Sequence, residues 1–429
     1  MVGAHNSLSS LLLTEVPDLV LVRCVCHSLH LCAERACKEL PRQLEFLIRE
    51  CHNYFSLRPK RLQDYQKFCE VYRAKVPRKI PKLAGTRWLA REAAVEVVLE
   101  QWDELRCFFR KAVTDDKCYS AEQILSIMDI PAYKAFLVFL KLTLTPICKT
   151  NKLFQSDSID TFILFEDLML LFKSFLKKIV VPAQLEKIPD SQLVTFPFAQ
   201  HLMHVQATYL GYDFEVLAKQ LKESEQEDVR KRCMNFLALF CSQLQERLPK
   251  NLQILKNINL FRPESATSQG KTSISDLLTQ FKRFNVAECE QEWSSLSDKK
   301  WDDISTAEKF WANVYFDVDS AKIPRFRNIA SFALSLLSLP ISNAFVERAF
   351  SVYNTVKNKL RNRLSLEVVQ SILALRYYLK KQGITCVQFE PNDKMLSKFN
   401  SHMYDHIAQD VQVELNLALD SIDVDCFDV

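Results

Sequence analysis

The sequence predicts a predominantly α-helical protein, and two observations carry that prediction. Only 5 Gly stand against 29 Phe in 429 residues, and parallel sheets and turn-rich β folds spend glycine freely where long helices do not. Apolar residues also recur at three- and four-residue spacing over much of the chain, the period of a helix with one buried face. The length allows a large core and, by itself, roughly two or three domains.

Taken in order, residues 1–17 carry no obvious cap or strand pattern. DLVLVR at 18–23 reads as a short buried strand, and 24–40 as the helix after it. Cys24, Cys26, His27, His30, Cys32 and Cys37 crowd this junction. Two readings compete, a zinc site and ordinary packing of buried thiols. A two-pair finger needs a distant second pair, and Cys51 with His52 is adjacent and poorly spaced, so packing is preferred and no metal ligand is assigned. Two helices are expected over 38–73, one facing the core with Leu44, Leu47, Ile48, Cys51 and Phe55, the other with Leu62, Tyr65, Cys69 and Tyr72.

Pro77, Pro81 and Gly85 then make VPRKIPKLAGTRWLAR a loop that exposes its charges. Trp88 beside Arg87 is a competent stacking platform for a splayed base; the alternative is a Trp that anchors the loop to the core. One long helix is expected over 90–113, with Val95, Val98, Leu99, Trp102, Leu105 and Phe109 on one face. Very apolar helices follow over 131–147 and 159–180, and another over 231–248 faces the core with Cys233, Phe236, Leu237, Phe240 and Leu244. RPESATSQGKTSIS at 262–275 reads as a flexible connection. The last strong helix, over 366–381, has Val368, Val369, Ile372, Leu373, Leu375 and Leu379 apolar. That face is wide enough for burial against two neighbours, one of them in a second subunit. Past Gly383 a loosely ordered acidic tail is expected, since 410–429 holds six acids and no base.

The net charge of +4 is too mild to indicate nucleic acid. Its distribution is more informative. Over 58–91 eleven bases face Asp64 and Glu70, and over 322–363 Lys322, Arg325, Arg327, Arg348, Lys357, Lys359, Arg361 and Arg363 face Glu347 alone. RPKR at 58–61 is a weak nuclear-import candidate. Fourteen Cys without a secretory leader fit free thiols in a reducing, intracellular setting. Charges interrupt the most apolar stretches, so no membrane span is expected. No glycine-rich phosphate loop or Gly-x-Ser-x-Gly elbow is present.

The stretch 339–363, LPISNAFVERAFSVYNTVKNKLRNR, combines helix signals, one carboxylate and dense positive charge. Pro340 discourages helix before it, Ser342 or Asn343 can cap it, and Ala344, Phe345, Ala349, Val352 and Val356 recur at helical spacing. Glu347 lies off that stripe, on one with Asn343, Ser351, Asn354 and Asn358. The run SLPISNAFVERAFSVYNTVKNKLRNRLSLEVVQSILAL resembles the C-terminal signature of the hAT superfamily of DNA transposases and their domesticated relatives. Further likenesses are Cys24 with His27 to a Cys-x-x-His motif, Thr86, Arg87 and Trp88 to a Thr-Arg-Trp motif, and Phe310 with Trp311 to a Phe-Trp pair.

The resemblance implies a large all-helical domain inserted in a truncated RNase H-like α/β domain. The expected division is 1–40, a remnant of the RNase H-like domain; 41–262, the helical insertion; 263–310, a linker with connecting helices; 311–383, the C-terminal block with the hAT dimerisation region; and 384–429, the acidic tail. In the family a segment like MVGAHNSL follows the second acid of an Asp-Asp-Glu metal site, so both Asp residues and a zinc-binding finger are expected upstream of Met1. Glu347 then matches the final acid as a vestige. One acid cannot hold the metal pair that such strand transfer uses, so no transposase activity and no cofactor are expected, with divalent metal only if the missing Asp residues were supplied.

The function expected is that of a domesticated nuclear protein that homodimerises through Phe345, Phe350, Val369, Ile372 and Leu373. DNA contacts are expected at Arg87, Trp88, Lys79, Lys82, Arg348, Lys357, Lys359, Arg361 and Arg363, with chromatin or transcription partners and no membrane. The alternatives are a fragment of an active DNA transposase and an adaptor with a ubiquitin-like ligase role.

Overall fold

The computed structural model describes residues 7–399 except 17, 18, 20, 74–75, 84–90, 157–162, 190–191, 248–255, 282, 302–305 and 340. Among the described residues the protein is predominantly helical, about 70%, with no strand. It divides into two compact units, Met1–Phe345 and Val346–Val429.

The first unit opens with α1 (Leu8–Glu15), capped by Ser7, whose hydroxyl accepts the Ser10 N–H while Ser10 reciprocates. It continues with α2 (Val25–Cys37), α3 (Gln43–Ser56), α4 (Pro59–Arg73), α5 (Arg91–Glu100), α6 (Trp102–Asp116), α7 (Tyr119–Met128), α8 (Pro131–Leu153) and α9 (Leu164–Ile179). After several single turns come α10 (Tyr212–Ala218), α11 (Glu223–Arg247), α12 (Val286–Ser295), α13 (Ala307–Phe316) and α14 (Arg327–Leu337).

The face predicted over 231–248, Cys233, Phe236, Leu237, Phe240 and Leu244, is buried. α11 packs on α2, α8 and α9, while α8 also packs on α5 and α10. Phe236 and Phe240 of α11 present their faces or edges to Phe139 at 5.4 Å and Phe175 at 5.2 Å between ring centres, the T-shaped arrangement that the ring quadrupole favours. α8 is long and apolar enough by length and composition to cross a membrane. Its Ala135, Phe136, Leu137, Phe139, Leu144 and Ile147 instead form core with these neighbours. A second aromatic group joins Tyr54, Phe55, Tyr65, Phe108 and Phe109 of α3, α4 and α6. A third surrounds Phe261, which lies 5.2 Å from Trp293, 5.7 Å from Trp311 and 5.6 Å from Phe332. Trp311 is fully buried, and its indole N–H donates to the Phe261 carbonyl at 2.8 Å, so the polar edge of the ring is satisfied inside the core.

Four expectations are corrected. The strand at 18–23 does not form at its described residues 19 and 21–23, and no sheet of an α/β domain is present among the described residues. Aliphatic composition alone cannot make a strand, because its N–H and C=O groups need a partner strand. The one long helix over 90–113 is two, broken at Gln101 (φ −112°, ψ 19°). There the buried amide of Gln101 donates to Val97 O at 3.2 Å and to Arg78 O at 3.0 Å and accepts from the Tyr65 hydroxyl at 3.1 Å. A side chain that competes for the helix's own carbonyl interrupts it.

The polar stretch over 262–275 is folded in rather than free. Pro263–Ala266 makes a helical turn, Ala266 and Ile274 are buried, and Lys271 donates to Ala266 O at 2.7 Å while lying over the Trp293 ring. Thr272 O accepts the Trp293 indole N–H at 3.0 Å. The helix expected over 231–248 starts a full two turns earlier, at Glu223, and part of what anchors that extension is a half-hidden ion pair.

Arg230 of α11 donates to Glu215 of α10 through both terminal nitrogens and to Thr208 O at 2.9 Å, and Glu215 also accepts the Leu210 N–H at 3.1 Å. Desolvation raises the Glu215 pKa, but the Arg230 and Leu210 hydrogen bonds outweigh it, so the carboxyl sits below its ordinary value of 4.5. A lowered carboxyl contributes stability that is complete above the unfolded pKa and is lost as pH falls through the folded one. Glu215→Gln is therefore expected to cost about 3 kcal/mol at neutral pH, because it leaves the buried guanidinium uncompensated. In thermal melts the gap between wild type and variant closes as pH falls below 4.5; a gap independent of pH would refute this role for the charge.

Candidate functional site

The second unit is unlike the first in how little it buries. α15 (Ala344–Val356) carries Val346, Phe350 and Tyr353 at i, i+4 and i+7, one face of a helix, and Val346 and Phe350 are 51% and 63% exposed. α16 (Leu366–Gln382) starts at Ser365, whose hydroxyl accepts the Val368 N–H at 3.3 Å, and ends at Gly383 in the left-handed region (φ 67°). Val368, Ile372, Leu375 and Leu379 share one face at i, i+4, i+7 and i+11. Val368 and Leu375 are exposed, and Ile372, Leu373 and Leu379 are half-buried. Leu366 and Tyr378 are exposed as well, and a short α17 (Asp393–Lys398) follows.

Among the described residues only Val356 and Val369 of this unit are buried hydrophobics. Of the residues expected to dimerise, Phe350 is exposed and Ile372 and Leu373 are half-buried, while Val369 is used within the chain. Phe345, last residue of the first unit, is exposed.

Between α15 and α16 runs a loop whose geometry spreads positive charge. Asn358 Oδ1 accepts the N–H groups of Leu360 at 3.0 Å and Arg361 at 3.1 Å, an Asx turn that closes the helix locally. Lys359, Arg361 and Arg363 are exposed and Lys357 is half-buried. No carboxylate among the described residues pairs with any of these four. Arg348, on α15, is half-buried.

Lys79 and Lys82 lie in the first unit on a segment that is neither helix nor strand. Ile80 is buried and the two lysines point outward, while neighbouring Arg78 bridges Glu96 and Glu100 of α5. Thr86, Arg87 and Trp88 fall outside the described residues. In the RPKR motif Arg61 is taken up structurally, its guanidinium 4.0 Å from the centre of the Tyr54 ring.

Glu347 is exposed in the first turn of α15. Among the described residues no three His, Cys, Asp or Glu side chains are grouped to hold a metal ion. Cys51 is buried in α3, and His52 Nδ1 lies 2.9 Å from Ile80 O, which makes it the protonated nitrogen.

The residues leading into α15 meet the start of α2. The Val25 N–H donates to Ile341 O at 3.2 Å, and the Asn343 N–H donates to Cys24 Sγ at 3.4 Å. Cys26 Sγ lies 3.3 Å from Ser342 Oγ, which also accepts the Ala344 N–H at 3.2 Å. Ser342 was legible in sequence as a cap. Its thiol neighbours were not, because the two segments are more than 300 residues apart and nothing local in either signals the other.

Residues 291–379 match the model of the hAT family C-terminal dimerisation region. Over this stretch the chain is similar to that region, and the likeness supports self-association. The stretch spans the Trp311 and Phe332 core, all of α15 and α16 as far as Leu379. No curated protein matches the chain.

Proposed function

We propose that this chain is a domesticated hAT-type nuclear protein that works as a homodimer through the faces of α15 and α16 and does not catalyse strand transfer by itself. The observation that carries the reading is the exposure of Val346, Phe350, Val368, Leu375 and Tyr378 in a unit whose described residues bury only two valines, inside a region matching a dimerisation domain. A second copy is the occupant these faces fit. Burying each such side chain returns about 1.5–3 kcal/mol. Several from each copy reach the range of about 4–15 kcal/mol that association costs in lost freedom.

Glu347 stands exposed, and among the described residues it belongs to no group of three His, Cys, Asp or Glu side chains that could hold a metal ion. Phosphoryl transfer of the two-metal kind needs several acids around both ions. Wild-type chain is expected to show twice its 49.8 kDa mass by light scattering. Phe350→Asp with Ile372→Asp is expected to give a monomer with unchanged circular dichroism; a wild-type monomer would remove the proposal.

Lys357, Lys359, Arg361 and Arg363, which pair with no carboxylate among the described residues, favour a second reading at the same unit, contact with the phosphate backbone of DNA. Such contact is electrostatic and salt-dependent. Changing Lys359, Arg361 and Arg363 together to Gln is expected to flatten the slope of log affinity against log salt on duplex DNA by about 2.7, that is ~0.9 for each lost phosphate contact. An unchanged slope would assign these bases to solvent. Chromatin or transcription partners would then be reached through the dimer alone.

A further inference from the structure

Cys24 and Cys26 flank the first residue of α2 and are the two side chains on which the residues before α15 rest. Cys24 occupies the N-cap position and is half-buried, so small solutes reach it. Cys26 is buried, within 3.7 Å of Asn151 O and 3.3 Å of Ser342 Oγ. Val25 between them is helical, which places their Cα atoms about 5.4 Å apart, inside the range a disulfide spans. The Cys26 thiol hydrogen-bonded to it pulls the Cys24 pKa down to about 5. Burial opposes this, and the N–H groups of Asn343, His27 and Cys26 assist it. Desolvation pushes the buried thiols of Cys32 up to about 12 and of Cys51 and Cys241 further, while half-buried Cys118, against desolvation and through its hydrogen bond to Ser120, is lowered as well. A half-buried thiol whose pKa is lowered thus stands beside a buried second thiol, the arrangement of an attacking and a resolving cysteine.

We propose that Cys24 and Cys26 form an oxidation site at which a peroxide closes an intrachain disulfide and releases residues 341–343 from the start of α2. In the first step the Cys24 sulfur attacks one peroxide oxygen. An S–O bond forms, the O–O bond breaks, and hydroxide leaves to take up a proton as water. In the second, Cys26 gives up its proton and its sulfur attacks the Cys24 sulfenic sulfur. The S–S bond forms, the S–O bond breaks, and the departing hydroxide leaves with that proton as water. Two thiols lose two electrons and two protons, and the peroxide becomes two waters.

The disulfide sulfur at Cys24 no longer carries the charge that accepts the Asn343 N–H, and Cys26 Sγ turns away from Ser342. The change is confined to the first unit, which holds every residue involved.

The test uses the full reduced chain with a small excess of hydrogen peroxide, followed by peptide mass mapping and amide hydrogen exchange. Expected are the loss of two hydrogens in the peptide holding Cys24 and Cys26, before exposed Cys386 is modified, and exchange in 338–345 faster by about tenfold, reversed by dithiothreitol. Cys26→Ser is expected to stop at Cys24 sulfenic acid, trapped by a dione reagent. Oxidation of Cys386 ahead of Cys24, or a disulfide that leaves exchange in 338–345 unchanged, would overturn the proposal.

Discussion

Burial of apolar surface decides what each part of this chain can be. In the first unit the stripes on α2, α8, α9 and α11 find one another, so Phe139, Phe175, Phe236 and Phe240 leave water almost completely. In the second the same helical pattern finds too little to cover it, and Phe350 and Tyr378 remain more than half exposed. An amphipathic helix whose face stays wet is stable only with help from outside its own contacts. That shortage falls inside the segment that matches a dimerisation region.

The helices were readable because helical periodicity is a local signal. Leu44, Leu47, Ile48, Cys51 and Phe55 show it plainly, and all are buried. What was not readable depends on partners distant in sequence. Gln101 divides a helix because Tyr65 and the Arg78 carbonyl reach it from other elements. The Ser- and Thr-rich stretch after Arg262 carries a linker's composition, but Trp293 and Lys271 tie it down. DLVLVR has a strand's composition and no described neighbour to pair with.

The candidate site was legible to the same degree. Charge density over 357–363 and the apolar face of 366–381 stand out in the sequence, and the structure adds that the bases lack carboxylate partners among the described residues. Val369 shows the limit, since periodicity placed it with Ile372 and Leu373 although it is buried within the chain. The cysteines at 24 and 26 looked like core or metal ligands. Only the fold shows that they receive the residues ahead of α15.

The most direct test of the association surface locates it. Chains grown separately with light and heavy nitrogen are mixed, allowed to exchange and treated with a lysine-reactive cross-linker, and heavy–light peptide pairs are identified by mass. The account predicts such pairs among Lys357, Lys359, Lys380 and Lys381, which flank the exposed apolar faces. Heavy–light pairs confined to lysines of the first unit, or none at all, would contradict it.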